Sequence, residues 1–231
     1  MEYWLNKPRL AWLWLLLGLS GVGIVMLANH TSLDLTLADR MFDTRQGQFS
    51  YKHAFFYETV MHSYAKQVLT IFWLAIVALA IWPKRKCPAW LTAERQYRLR
   101  WIAAMAVINA SLVSGLKHQM PHACPWDLSR YGGSEPWFPT FTAHAQQMAG
   151  HCFPAGHATS GLWLSAFCLL WLPQQPRKAL FVGFVGLYAG FLLGWFQQMR
   201  GAHFISHTLT SLWLMYALLL CVLSFSKNHS S

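Results

Sequence analysis

Carboxylates are scarce in this chain. Its 231 residues include only 8 Asp and Glu against 18 Lys and Arg, and charged residues of both signs make up 11%. An ordinary soluble domain is about a quarter charged, so a water-exposed surface wrapped around one core is excluded. No HExxH motif occurs, and Asp127 and Glu135 are the only carboxylates in the stretch from 117 to 157, which argues against a carboxylate-supported metal centre. The basic residues form no long stripe, which excludes a nucleic-acid-binding surface. No internal repeat or low-complexity stretch is visible, so a solenoid is excluded too.

What the chain has in quantity is apolar. Hydrophobic residues make up 55% of it, 13 of them Trp, and the mean hydropathy is +0.29. Apolar runs occupy residues 10–28, 68–82, 101–116, 159–172, 180–196 and 209–225. Each is at or slightly below the length that spans a bilayer, and flanking Trp82, Trp101 and Trp195 extend several of them into the interface. The expected fold is therefore all-α: an integral membrane protein with six transmembrane helices, read as a single domain over 1–231. A long loop, 117–157, joins helices three and four. Lys7 and Arg9 ahead of the first run resemble a secretory signal, but no small-residue cleavage site follows, so the run reads as helix one.

Orientation follows from the basic residues. Lys7, Arg9, Lys84, Arg85, Lys86, Arg95, Arg98, Arg100, Arg177, Lys178 and Lys227 fall on one side of a six-helix arrangement, 11 of the 18. The positive-inside rule then puts both termini in the cytoplasm. The expected location is a bacterial inner membrane, with the opposite loops periplasmic.

Three polar patches lie on that opposite side: Lys117-His118-Gln119 running to Cys124-Pro125, Pro154-Ala155-Gly156-His157, and Arg200-Gly201-Ala202-His203. Polar groups at the ends of apolar runs carry a solvation cost that function or pairing must offset. Lys, Arg and two His together make an anion site, with cations to hold phosphoryl oxygens and imidazoles to attack phosphorus or move protons. Plainer readings exist for each group. Lys117 could snorkel at a helix end, Pro154 and Gly156 could simply shape a helix start, and His118, His122, His144 and His151 could be interfacial hydrogen-bonders. His203 and His207, at i and i+4, have the spacing of a metal-binding pair. The expectation here is no metal and no cofactor.

These patches carry a resemblance. Type 2 phosphatidic acid phosphatases share Lys-x6-Arg-Pro, Pro-Ser-Gly-His and Ser-Arg-x5-His-x3-Asp on a six-helix membrane core. This chain is similar to them through Lys117, Pro125, Pro154, Gly156, His157 and His203. It departs from them at Cys124 (Arg in the family), Ala155 (Ser), Phe196 and Gln197 (Ser-Arg) and His207 (Asp).

The resemblance implies a membrane phosphatase acting on an amphiphilic lipid phosphate or pyrophosphate, of phosphatidate, polyprenyl or lipid A type, through a phosphohistidine. Lipid phosphotransfer at the same site, or non-catalytic binding of lipid phosphates, are the alternatives. His203 resembles the nucleophile and His157 the general acid, and His207 is either the partner of His203 or an alternative nucleophile. Lys117 would hold the phosphate with the backbone amides of Ala155 and Gly156, and Arg200 and Arg130 are the available replacements for the missing arginines. The implied partners are the lipid substrate and membrane lipids, without nucleic acid. In an oxidising compartment Cys124 and Cys152 could pair; two free thiols are the other reading.

Overall fold

The computed structural model describes residues 2–86, 88–142, 150–225 and 227–228. His144 and Cys87 lie outside them. Among these residues seven α-helices dominate: α1 (Lys7–His30), α2 (Leu33–Met41), α3 (Ala65–Ala80), α4 (Ala93–Gln119), α5 (Gly156–Leu162), α6 (Pro176–Met199) and α7 (Ile205–Phe225). A π-helix, Phe56–Tyr64, leads into α3, and a 3-10 helix, Trp163–Leu170, continues α5. Helix starts are marked in the usual chemical ways. The Asn6 side chain accepts from the Arg9 amide at 3.1 Å, the Thr92 side chain accepts from the Arg95 amide at 3.2 Å, and Pro176 opens α6.

Among the described residues, five helical stretches are long and apolar enough to cross a membrane: Lys7–His30, Phe56–Ala80, Ala93–Gln119, Pro176–Met199 and Ile205–Phe225. Of the six transmembrane helices expected from hydropathy, five thus appear as long apolar helices. The run at 159–172 folds as the seven-residue α5 followed by the eight-residue 3-10 helix. With rises of about 1.5 and 2.0 Å per residue, the pair is roughly 26 Å long. The other helices outrun their apolar cores because polar ends wind on as helix. Arg98, for example, is buried within α4, where it pairs with Glu94 and donates to the Leu169 and Leu170 carbonyls at 3.0 and 2.9 Å.

Two short ribbons complete the chain. β1 (Glu2–Tyr3) pairs antiparallel with β4 (Lys227–Asn228), which brings the two ends of the chain together. β2 (Phe42–Asp43) pairs with β3 (Gln48–Phe49), and Phe49 packs with Leu128, Tyr131 and Phe204 in a small apolar cluster. The main core runs along α1, α4, α5, the 3-10 helix and α7, through Ile102, Met105, Leu162, Leu169, Met215 and Leu220. His203 and the paired termini lie at opposite ends of α7, roughly 30 Å apart for its 21 residues.

Glycines let α6 approach the Gly156–Leu170 segment at backbone distance. A Cβ on Gly186 would stand 2.2 Å from the Ser165 nitrogen, and one on Gly190 would stand 2.4 Å from the Leu162 side chain. Small residues at such contacts are how membrane helices gain packing without a hydrophobic driving force. We expect Gly186→Leu to abolish recovery of monodisperse protein in detergent, beyond the ~1–3 kcal/mol of ordinary overpacking, because its clash is with backbone. Gly183→Ala, whose Cβ would meet Cys168 at an ordinary 3.5 Å, should be recovered normally in the same size-exclusion assay.

Candidate active site

The chain turns sharply between α6 and α7, and this turn presents His203. Arg200 ends the helix, and Gly201 has a left-handed φ of 79°. The Gly201 amide donates to the Gln198 carbonyl at 2.9 Å and the Ala202 amide to the Gln197 carbonyl at 3.0 Å, the paired bonds of a Schellman motif. Glycine is required twice over here, since a Cβ would also sit 2.3 Å from the Phe49 ring. Ile205 then starts α7, where Asp34 of α2 accepts from the Ser206 amide at 3.0 Å and from its hydroxyl at 2.6 Å. Burial pushes the Asp34 carboxyl above its ordinary value, against these Ser206 bonds.

Across from this turn, α5 begins at Gly156 and presents His157. His157 Nδ1 lies 3.1 Å from His203 Nε2. The other nitrogen of His203, Nδ1, faces the Cys152 sulfur at 3.5 Å. Burial, then the positive fields of His157, His207 and Lys117, holds His203 well below the ordinary imidazole value. It is therefore neutral near pH 7 and has a lone pair to offer.

Lys117 reaches the same place from the end of α4. Its Nζ is 3.7 Å from where a Cβ on Gly156 would be, so the glycine leaves room for the ammonium. Together they line a cavity of about 550 Å³ that includes Lys66, His157, Thr159 and Ser160 at its polar end. Its remaining wall is largely apolar, with Leu69, Trp73, Ala106, Val107, Val113 and Trp163 from α3, α4 and the 3-10 helix.

Other expected residues are placed differently. His207 is fully buried behind His203, with ring centroids 5.9 Å apart, among Phe153, Phe204 and His122. It lines a separate cavity of about 10 Å³ and not the large one. The hydrogen bond expected between His203 and His207 is replaced by the Cys152 contact. The Ala155 amide, expected as a phosphate donor, instead donates to the His207 carbonyl at 3.2 Å.

Arg130 is drawn away entirely. Its guanidinium donates twice to Asp39, at 2.9 and 2.8 Å, and the Tyr131 hydroxyl donates to the same carboxylate at 2.8 Å. Arg130 holds the Asp39 carboxyl below its usual range.

Arg200 stays beside the site but is already engaged. Its guanidinium donates to the Glu58 carboxylate at 3.1 Å, the Gln197 side chain at 2.9 Å and the Lys52 carbonyl at 3.1 Å. It does not line the large cavity. Glu58, His62 and Lys66 were missed from the sequence. Their i, i+4, i+8 spacing was a usable signal, but it lies in a stretch that hydropathy assigned to a connection.

Cys124 and Cys152 form a disulfide, Cα–Cα 5.2 Å. Backbone bonds flank it, from the Gly150 amide to Met120 and from the Cys152 amide to His122, both 3.1 Å. Cys152, His203 and His207 offer ligand atoms within 4.8 Å of one another, but the sulfur of this trio is spent in the disulfide.

A family model described as the PAP2 superfamily matches residues 98–231, more than half of the chain. The chain belongs to that superfamily. No curated protein and no solved structure matches it. Membership, with five membrane-capable helices, makes it a multi-pass membrane protein of a class that consists in general of phosphatases.

Two outcomes test these placements. Arg130→Ala should leave phosphate turnover unchanged and cost roughly 0–1 kcal/mol of stability, the worth of an exposed ion pair. Mass mapping without reductant should recover Cys124 and Cys152 joined, and the Cys124→Ser/Cys152→Ser double variant should lose about 2–4 kcal/mol of stability.

Proposed function

We propose that this protein is a membrane phosphatase that hydrolyses an amphiphilic phosphate ester or pyrophosphate through a phosphohistidine on His203. The carrying observation is that His157 lines the cation-bearing end of a cavity whose remaining wall is largely apolar, and that its Nδ1 lies 3.1 Å from Nε2 of His203, buried directly behind it.

With Nδ1 of His203 held toward Cys152, its Nε2 lone pair faces the His157 ring. A phosphoryl group entering between the two rings meets the nucleophile on one side and a proton donor on the other. Nε2 attacks phosphorus, the bond to the leaving oxygen breaks, and His157, an imidazolium once the phosphate anion is bound beside it, delivers a proton to that oxygen and becomes neutral. Water, deprotonated by His157, then attacks the phosphohistidine and releases inorganic phosphate with His203 regenerated. Lys117 holds phosphoryl oxygens throughout. His207, facing away from the cavity, is a buried positioning residue in this scheme. Arg200, held by Glu58, fixes the α6–α7 turn.

The apolar wall argues for a substrate with a lipid tail. Along α4 it extends from Ala106 to Lys117, 11 residues or roughly 16 Å, about half the hydrocarbon thickness of a bilayer. A phosphate beside Lys117 would thus have its tail beside α3 and α4 at membrane depth.

Topology supports a sixth crossing. The paired ends of the chain require an even number of crossings, whereas the long helices number five. The roughly 26 Å of α5 and its 3-10 continuation nearly match the bilayer core, and supply the remaining one. With both termini in the cytoplasm, His157 and His203 then face the periplasm.

The test is phosphate release in detergent from a panel of phosphatidate, polyprenyl pyrophosphate and lipid A type substrates. We expect activity that survives chelators, is inhibited by vanadate as a trigonal-bipyramidal mimic, and is abolished in His203→Ala. Loss of activity on chelation with recovery on adding zinc would replace the histidine mechanism by a metal one.

A further inference from the structure

One cation on the cavity has no counterpart in the three motifs. The family resemblance calls for Lys117 and two arginines, and the arginine positions are occupied by Cys124 and Gln197. Neither substitute suggested by sequence is available: Arg130 is bound by Asp39, and Arg200 by Glu58. A phosphoryl transition state spreads its charge over three equatorial oxygens. A single lysine is a point contact that leaves much of that charge unanswered.

Lys66, on the first turn of α3, lines the same cavity as Lys117, Gly156 and His157. Among the described residues no carboxylate is within ion-pair distance of it. Its helix is already anchored to the site by the two residues preceding it at four-residue steps. Glu58 grips Arg200 at 3.1 Å, and the His62 ring lies 4.6 Å from the His157 ring. The π-helical winding of Phe56–Tyr64 followed by the α-helical winding of α3 keeps these residues on one side. Wide turns of this kind recur at functional sites.

We propose that Lys66 is a phosphate-binding residue that takes over the charge lost at Cys124, so that a phosphate monoester or terminal pyrophosphate oxygen is held between Lys66 and Lys117 beside His157. This rests on the phosphatase reading above. In consequence α3 holds both parts of the substrate, since Leu69 and Trp73 of the same helix form part of the apolar wall. A lysine that merely snorkels to the interface would have no effect on anion affinity.

The experiment compares Lys66→Gln, Lys66→Arg and, as a control at the opposite end of the bundle, Lys178→Gln in detergent-purified full-length protein. Phosphate release from phosphatidate and polyprenyl pyrophosphate is measured together with inhibition by orthovanadate. Lys66→Gln should lower kcat/KM by about 100-fold, the scale of one lost charge-stabilising donor, and weaken vanadate inhibition in parallel. Lys66→Arg should recover most of both, and Lys178→Gln should match the parent. Lys66→Gln within about twofold of the parent in both readouts, with His203→Ala inactive, would overturn the assignment and leave the phosphatase reading intact. Should the parent release no phosphate from any substrate, the phosphatase reading fails, and direct vanadate binding decides for Lys66. Binding lost in Lys66→Gln supports the anion site, and unchanged binding removes it.

Discussion

The contact between α6 and the Gly156–Leu170 segment is the constraint from which the site follows. Gly186 and Gly190 let one backbone rest on the other, and Gly194 makes room for the Thr208 side chain of α7. Because the contact is set by backbone, it fixes where α5 begins relative to where α6 ends. His157 at the first turn of α5 and His203 just past the α6–α7 turn then arrive 3.1 Å apart. No side chain needs to reach for the other. In a bilayer, where burial of apolar surface between helices contributes little, close packing of this kind supplies the rigidity that positioning requires.

The polar end is organised by pairing each buried charge or leaving room for it. Asp34 is held by the start of α7, Arg200 by Glu58, and Arg98, at the other end of α4, by Glu94 and two carbonyls. With eight carboxylates in the chain, few are left to neutralise the remaining cations. Lys117 and Lys66 line the cavity, and the scarcity of acidic residues becomes a positive field at the site. The disulfide joins the segment after α4 to the segment before α5. An exchange of Arg for Cys thus gives up a cation and gains a covalent tie between two of the three motifs.

Much of this was legible beforehand. Long apolar runs announced α1, α4, α6 and α7 because a membrane-spanning helix must be apolar over most of its length. The Pro-x-Gly-His and Gly-x-His signatures pointed to His157 and His203 because each sits where a polar group interrupts an apolar run. Hydropathy failed at the π-helix Phe56–Tyr64 and the first turn of α3, where Glu58, His62 and Lys66 lower the local average, and so it did not point to Lys66. It also failed to show that residues 163–170 wind as a 3-10 helix, since both windings bury the same apolar side chains.

The sequence by itself determined the membrane-embedded helical class, the superfamily and the two imidazoles, because composition and local motif are properties of neighbouring residues. Tertiary structure alone decided which polar groups meet. Arg130 was a candidate on paper, yet Asp39, 91 residues away in sequence, claims it. His207, four residues from His203, is turned behind it, and Lys66, outside every motif, lines the cavity. Charge pairing acts through space, and only the packed helices set those distances.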